Sequence, residues 1–177
     1  MFWGTKPEDE PLREGASILN ERERAPADRP LNHGLPVGTP AVVVTYAFKV
    51  IQAPQEIVIL SETGDRCRQI YTDRRSLSKQ AEPSSVGKWE GDILVVETTG
   101  FKERSWLDLL SHPRSESMCI TERYRRRDFG HMDLEITFDD PKYYTRPFTL
   151  TTRLRVISDS DVLECVCTEN EKDRIHM

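Results

Sequence analysis

The chain lacks any apolar run near the roughly 18 residues that a membrane-spanning helix requires. An apolar leader is not expected either, since Met1-Phe2-Trp3-Gly4 runs straight into acidic and proline-rich sequence. A membrane role is therefore not expected, and a cytoplasmic location is. A basic surplus is missing too: 25 Lys and Arg stand against 30 Asp and Glu, a net charge of −5. General affinity for nucleic acid or an anionic membrane is not expected of such a chain. Cysteine is scarce, with four residues, which in a cytoplasmic protein should be free thiols.

The familiar motifs of cofactor and metal chemistry are missing as well. Cys165 and Cys167 face the same way on a strand, but no second Cys or His pair completes a zinc set. Ser158-Asp159-Ser160-Asp161 offers too few ligands, and no following glutamate, for a calcium loop. There is no Gly-rich phosphate loop, nucleophile elbow or His-Glu-x-x-His pair. If the protein is an enzyme, it should need no cofactor.

What is present is one domain's worth of sequence in 177 residues. Residues 1–40 hold more than half of the eleven prolines and read as an N-terminal arm. A short helix is expected over Glu14–Arg24, and over Pro26–Pro40 an arm that wraps the domain through Leu31, Leu35 and Val37 or is partly disordered. Residues 41–177 read as an antiparallel β domain, with β-branched and aromatic runs alternating with turn chemistry. Strands are expected at Thr45–Ala53, Glu56–Glu62, Cys67–Asp73, Asp92–Thr98, Ser117–Arg127, Met132–Asp139, Arg146–Ile157 and Val162–Thr168. A helical turn is expected at Ser105–Leu110. Eight short strands joined mainly by hairpins favour a small all-β barrel of lipocalin-like type, with a β-sandwich as the alternative. An eight-stranded barrel has room inside for one small ligand.

Alternation gives the C-terminal strands two faces. Met118, Ile120 and Tyr124 share one, as do Met132, Leu134, Ile136 and Phe138, and then Phe148, Leu150, Leu154 and Val156. The other face carries Arg123, Arg125 and Arg127, then Asp133 and Glu135, then Arg153 and Arg155. Paired in order, these would form a basic, acidic, basic surface, so the arginine run reads as a solvated face rather than a nucleic-acid patch.

Glu122 falls in phase with the apolar face. A buried carboxyl is either paired with a cation or tuned for general acid–base work, and both readings stand. Glu97, in phase with Ile93 and Val95, reads as a rim residue. His112, in the loop 111–116, could act as a proton carrier or be a solvated loop histidine. Asp73 and Arg75 at a strand end could orient a polar substrate group or merely fix a loop. Trp89, Trp106 and Tyr124 could line a pocket or belong to plain core.

The stretch Ser85-Val86-Gly87-Lys88-Trp89-Glu90-Gly91-Asp92-Ile93-Leu94-Val95-Val96-Glu97-Thr98 resembles the motif S-[IV]-G-[RK]-W-E-G-D-T-L-V-V-[DE]-T of a large uncharacterised bacterial protein family, abundant in acidobacteria and proteobacteria. The likeness extends through 68–73, 112–115, 122–126 and 140–147, so it covers roughly residues 35–170. It brings no established activity with it. Relatives commonly carry a cysteine where this chain has Gly34 and a histidine where it has Ser84, and many look secreted. The motif's own turn, Glu90-Gly91-Asp92, also has a purely structural reading, with Trp89 plugging one end of a barrel.

Together these features lead to an expected cofactor-independent lyase, isomerase or cyclase acting by general acid–base chemistry on a small hydrophobic substrate in a β-barrel pocket. Glu122, His112 and Asp73 are its candidate catalytic residues, and Arg75, Trp89, Trp106 and Tyr124 its substrate-binding ones. A non-catalytic carrier of such a ligand, or an interaction module forming a homodimer through the N-terminal arm, are the alternatives.

Overall fold

The structure, a computed structural model of the chain, describes residues 10–16, 47–62, 67–77, 84–102, 105–108 and 112–162. The fold is all-β. Eight strands form one sheet curled into a half-barrel: β1 (Phe48–Gln52), β2 (Glu56–Ser61), β3 (Arg68–Tyr71), β4 (Ser84–Glu90), β5 (Ile93–Thr99), β8 (Cys119–Arg126), β9 (His131–Asp139) and β10 (Phe148–Arg155). They lie side by side in that order. Two further strands, β6 (Ser105–Trp106) and β7 (Pro113–Arg114), pair with each other inside the β5–β8 connection.

Every neighbouring pair in the large sheet is antiparallel except β3 and β4, which run parallel. That junction departs from the expected hairpin meander. The strand β4 was also not expected. Its centre is Gly87 among Ser, Lys and Glu, with too few apolar residues to announce a strand. A Cβ at Gly87 would sit 2.9 Å from the Ile70 side chain and 3.3 Å from that of Leu94. Glycine is thus what lets β3 and β4 pack so closely. The turn into β5 uses Gly91 at φ +65°, a conformation natural to glycine.

Alternation accounts for the faces of β8 to β10. Ile120, Glu122 and Tyr124 are buried, as are Leu134, Ile136 and Phe138 two residues apart on the next strand. Phe138 stacks on Phe148 with ring centroids 4.9 Å apart. These side chains join Ile57, Ile59, Ile70, Leu94 and Val96 in one core, closed over by Phe101, Leu107 and Met118 from the β5–β8 connection. The expected apolar face of the last strand stops short, because β10 ends at Arg155 and Val156 is exposed. On the outer face Arg123 stands opposite Glu135, and Asp133 lies between Arg125 and Arg153. Such cross-strand pairs contribute roughly 0.2–1 kcal/mol each.

At the open side of the half-barrel, Lys49 on edge strand β1 donates to both carboxylate oxygens of Asp161, at 2.8 and 2.9 Å. Asp161 follows the opposite edge strand, so this ion pair links the two ends of the sheet. Of the other expectations, β6 occupies the first two residues of the helical turn expected at Ser105–Leu110. Most of the strand expected at Val162–Thr168, and the arm segment Pro26–Pro40, lie outside the described residues. So does the expected helix Glu14–Arg24 beyond Glu14–Ala16, which is helical. No helix among the described residues is long and apolar enough to cross a membrane.

Candidate acid–base site

Glu122 is fully buried on the core face. Its cross-strand neighbours there are Val96 on β5 and Ile136 on β9, so the carboxylate has apolar flanks. Its polar partners come from further away. Arg68, at the start of β3 and in phase with buried Ile70, donates from Nη1 to Glu122 Oε1 at 2.9 Å and from Nη2 to Oε2. The Tyr124 hydroxyl, two residues along β8, donates to Oε1 at 2.8 Å. The carboxylate is therefore an acceptor in three bonds.

The guanidinium is shared further. Its Nε donates to Ser85 Oγ at 3.3 Å and its Nη2 to Thr98 Oγ1 at 3.0 Å. Ser85 and Thr98 are themselves a cross-strand pair on β4 and β5, their hydroxyls 2.9 Å apart. Both are buried. The two ends of the conspicuous motif thus converge on one arginine, and its two central glycines supply the close packing and the turn.

Burial opposes the charge on Arg68, but the field and hydrogen bonds of Glu122 outweigh it and hold the guanidinium above its ordinary pKa. Burial, and then the Glu122 charge, push the Tyr124 phenol well above its ordinary value. Carboxylate, guanidinium and neutral phenol are thereby fixed within one network. Glu122 is not a lone carboxyl in apolar surroundings; it is one half of a buried ion pair.

His112 is also fully buried, but in a second cluster. Its Nδ1 lies 2.7 Å from Asp108 Oδ2, and its Nε2 lies 3.2 Å from Glu10 Oε2 of the N-terminal segment. The Asp108 carboxylate also accepts from the His112 backbone N–H at 3.2 Å. Nearby, Tyr144 donates to the Pro113 carbonyl at 2.9 Å. Its phenol is raised by burial and then by the charges of Asp108, Asp140 and Glu10.

Asp73, Arg75 and Trp89 make no bond to the Glu122 network. Asp73 accepts from Arg75 Nε at 2.9 Å and from Nη2 at 2.6 Å, and the Arg75 guanidinium stacks 3.6 Å from the Tyr71 ring centroid. The pair fixes a loop in which Arg74 adopts φ +64°. Trp89 shares the inward parity of Ser85 and Gly87 but lies at the end of β4, 52% exposed, and so plugs nothing. Trp106 lies in β6, and its side chain is outside the described residues. Glu97 is half-buried in the middle of β5, out of phase with core-facing Val96 and Thr98, and so lies on the face of the sheet opposite Glu122 rather than at a rim. An open groove of about 550 Å³ lies on the charged outer face, lined by Arg123, Arg125, Asp133, Glu135 and Arg153 among others, and reaches neither Glu122 nor His112.

Arg68, Ser85, Thr98, Asp108 and Glu10 were not singled out from the sequence. Two signals were there to be read: Arg68 shares the parity of Ile70, and Asp108 precedes His112 by four residues. No group of His, Cys, Asp and Glu suited to a metal ion occurs among the described residues. No protein-family model, curated protein or solved structure matches the chain.

Proposed function

We propose that the protein is a cofactor-independent enzyme that moves a proton α to a carbonyl in a small, largely hydrophobic substrate. The outcome would be isomerisation, elimination or ring closure. One observation carries the reading: a buried carboxylate is held between a guanidinium and a phenol on the core face of the sheet. Buried ion pairs are a poor means of gaining stability, and a group shifted by burial and a specific charge partner, as the Tyr124 phenol is, marks a functional-site candidate.

In this reading Glu122 is the general base and takes the α-proton. The C–H electron pair moves into the carbonyl, and the new enolate oxygen accepts from the Tyr124 hydroxyl, which turns from Glu122 to the substrate. The Arg68 charge stabilises the anion, and Ser85 with Thr98 keeps the guanidinium in place. Return of the proton at another carbon gives an isomer. Loss of a β-substituent with its bonding pair, protonated by Glu122, gives a lyase. Attack of the enolate on a second carbonyl carbon of the substrate, whose π pair moves to its oxygen and takes the proton from Glu122, gives a cyclase. A positioned base contributes about 10²–10⁴-fold to such a step, and fixed donors at the developing charge contribute comparably. The free thiols of Cys67 and Cys119 fit a reducing, cytoplasmic setting.

A lipocalin-like carrier is the competing reading, favoured by the three bonds that already engage Glu122. Native mass spectrometry separates the two, using wild type and Glu122→Gln protein recovered from a metabolite-rich lysate. A chemically altered molecule on wild type and its unaltered form on the variant supports the enzyme. The same molecule on both supports the carrier.

A further inference from the structure

Residues 10–13 lie on the domain in the manner of a recognised peptide. The Thr145 N–H donates to the Pro11 carbonyl at 2.8 Å, and the Arg13 N–H donates to the Tyr143 carbonyl at 2.8 Å. Leu12 forms an antiparallel bridge with Tyr144. Side chains two apart face the domain: Leu12 packs against the core cluster, and Glu10, with 5% of its side chain exposed, meets buried His112. Arg13 is exposed, and its Nε donates to the Pro141 carbonyl at the edge of the same surface at 3.1 Å. Backbone pairing for affinity and alternate side chains for specificity is the pattern of strand addition.

We infer that this surface is a strand acceptor that takes the same segment from a second copy of the chain, so that one protomer's Glu10 completes the other's His112 site. Two features carry the inference. The acceptor fits this sequence, because it already holds it. Residues 17–46, thirty in all, separate the segment from the described start of the β domain, a contour of up to about 100 Å at full extension. Exchange between copies keeps every contact made within one copy, which makes it a low-cost route to a dimer. The segment of the same chain competes for the acceptor, so dimer accumulates with rising protein concentration.

The test uses two full-length variants. Leu12→Asp disables the segment and leaves the acceptor intact. Thr145→Pro removes the N–H that bonds Pro11, together with the hydroxyl that donates to the same carbonyl at 3.1 Å, and so disables the acceptor alone. Each variant by itself should sediment as a monomer, and the equimolar mixture as a dimer containing both chains. A mixture that remains monomeric overturns the inference. A second measurement does not depend on how the proline variant folds. A fluorescent peptide with the sequence of residues 10–16 should bind the Leu12→Asp chain saturably, and a peptide carrying Glu10→Gln should bind about tenfold more weakly. Failure of the first peptide to bind overturns the inference equally.

Discussion

Arg68 and Glu122 stand 54 residues apart in the sequence and meet on the core side of one sheet, each guanidinium Nη donating to one carboxylate oxygen. Removing one partner leaves the other charged and buried. Arg68→Leu should therefore cost about 3–5 kcal/mol in urea unfolding. The double variant Arg68→Leu/Glu122→Leu should recover a large part of that loss, because no charge remains to be desolvated. If the two single losses simply add, the buried pair is not the interaction described.

The hydroxyls behind the arginine should be worth less and should depend on chemistry rather than shape. Thr98→Val keeps the volume and deletes the acceptor for Arg68 Nη2. A loss of about 1–2 kcal/mol is expected, with Thr98→Ser close to wild type. Equal losses in both would point to packing instead.

Three glycines should respond differently to alanine. At Gly87 the new methyl meets the Ile70 side chain at 2.9 Å, and Ile70 is fully buried with little room to give way. A loss of about 1–3 kcal/mol is expected from overpacking. At Gly91 the cost comes from φ +65° alone and should be about 1–2 kcal/mol. At Gly15 nothing lies within 4 Å, and the change should be close to neutral. Thermal unfolding of the three variants reads the order directly.

Alkaline pH should weaken the fold. Both Tyr124 and Tyr144 are held above the ordinary value of 10, in each case by burial and then by neighbouring carboxylates. Above pH 10 the unfolded chain releases these phenolic protons while the folded chain retains them. Stability from this source is thus complete below pH 10 and is lost as pH rises beyond it. An ultraviolet titration of the five tyrosines should show two that ionise only as the protein unfolds. Tyr144→Phe should flatten the fall of the melting temperature. Titration of all five in the folded state would refute the burial of these two.

What was legible in the sequence followed from local alternation. Seven of the eight large-sheet strands, the two faces of β8 to β10 and the inward direction of Glu122 all depend on a period of two within one strand. The strand β4 was hidden because close packing against Ile70 demands glycine where a strand ordinarily shows an apolar residue. The partner of Glu122 was hidden for a different reason. Arg68 reaches it only through the order β3-β4-β5-β8, which contains a parallel junction that no hairpin signal announces. Glu10 lies 102 residues from His112, and nothing local connects them. Asp73 and Arg75 are two residues apart, close enough for local sequence to suggest their pairing, and that pairing occupies them in a loop.

The most direct test of the account is proton exchange itself. Wild type and Glu122→Gln are incubated in D₂O with a panel of small hydrophobic ketones, and loss of the α-C–H signal is followed by NMR. Wild type should exchange at least one ketone, with the rate reduced about 10²–10⁴-fold in the variant. Tyr124→Phe should slow it as well, through loss of the donor to the enolate oxygen. Exchange at the same rate in wild type and Glu122→Gln, or none above the protein-free rate, would contradict the assignment of Glu122 as the base.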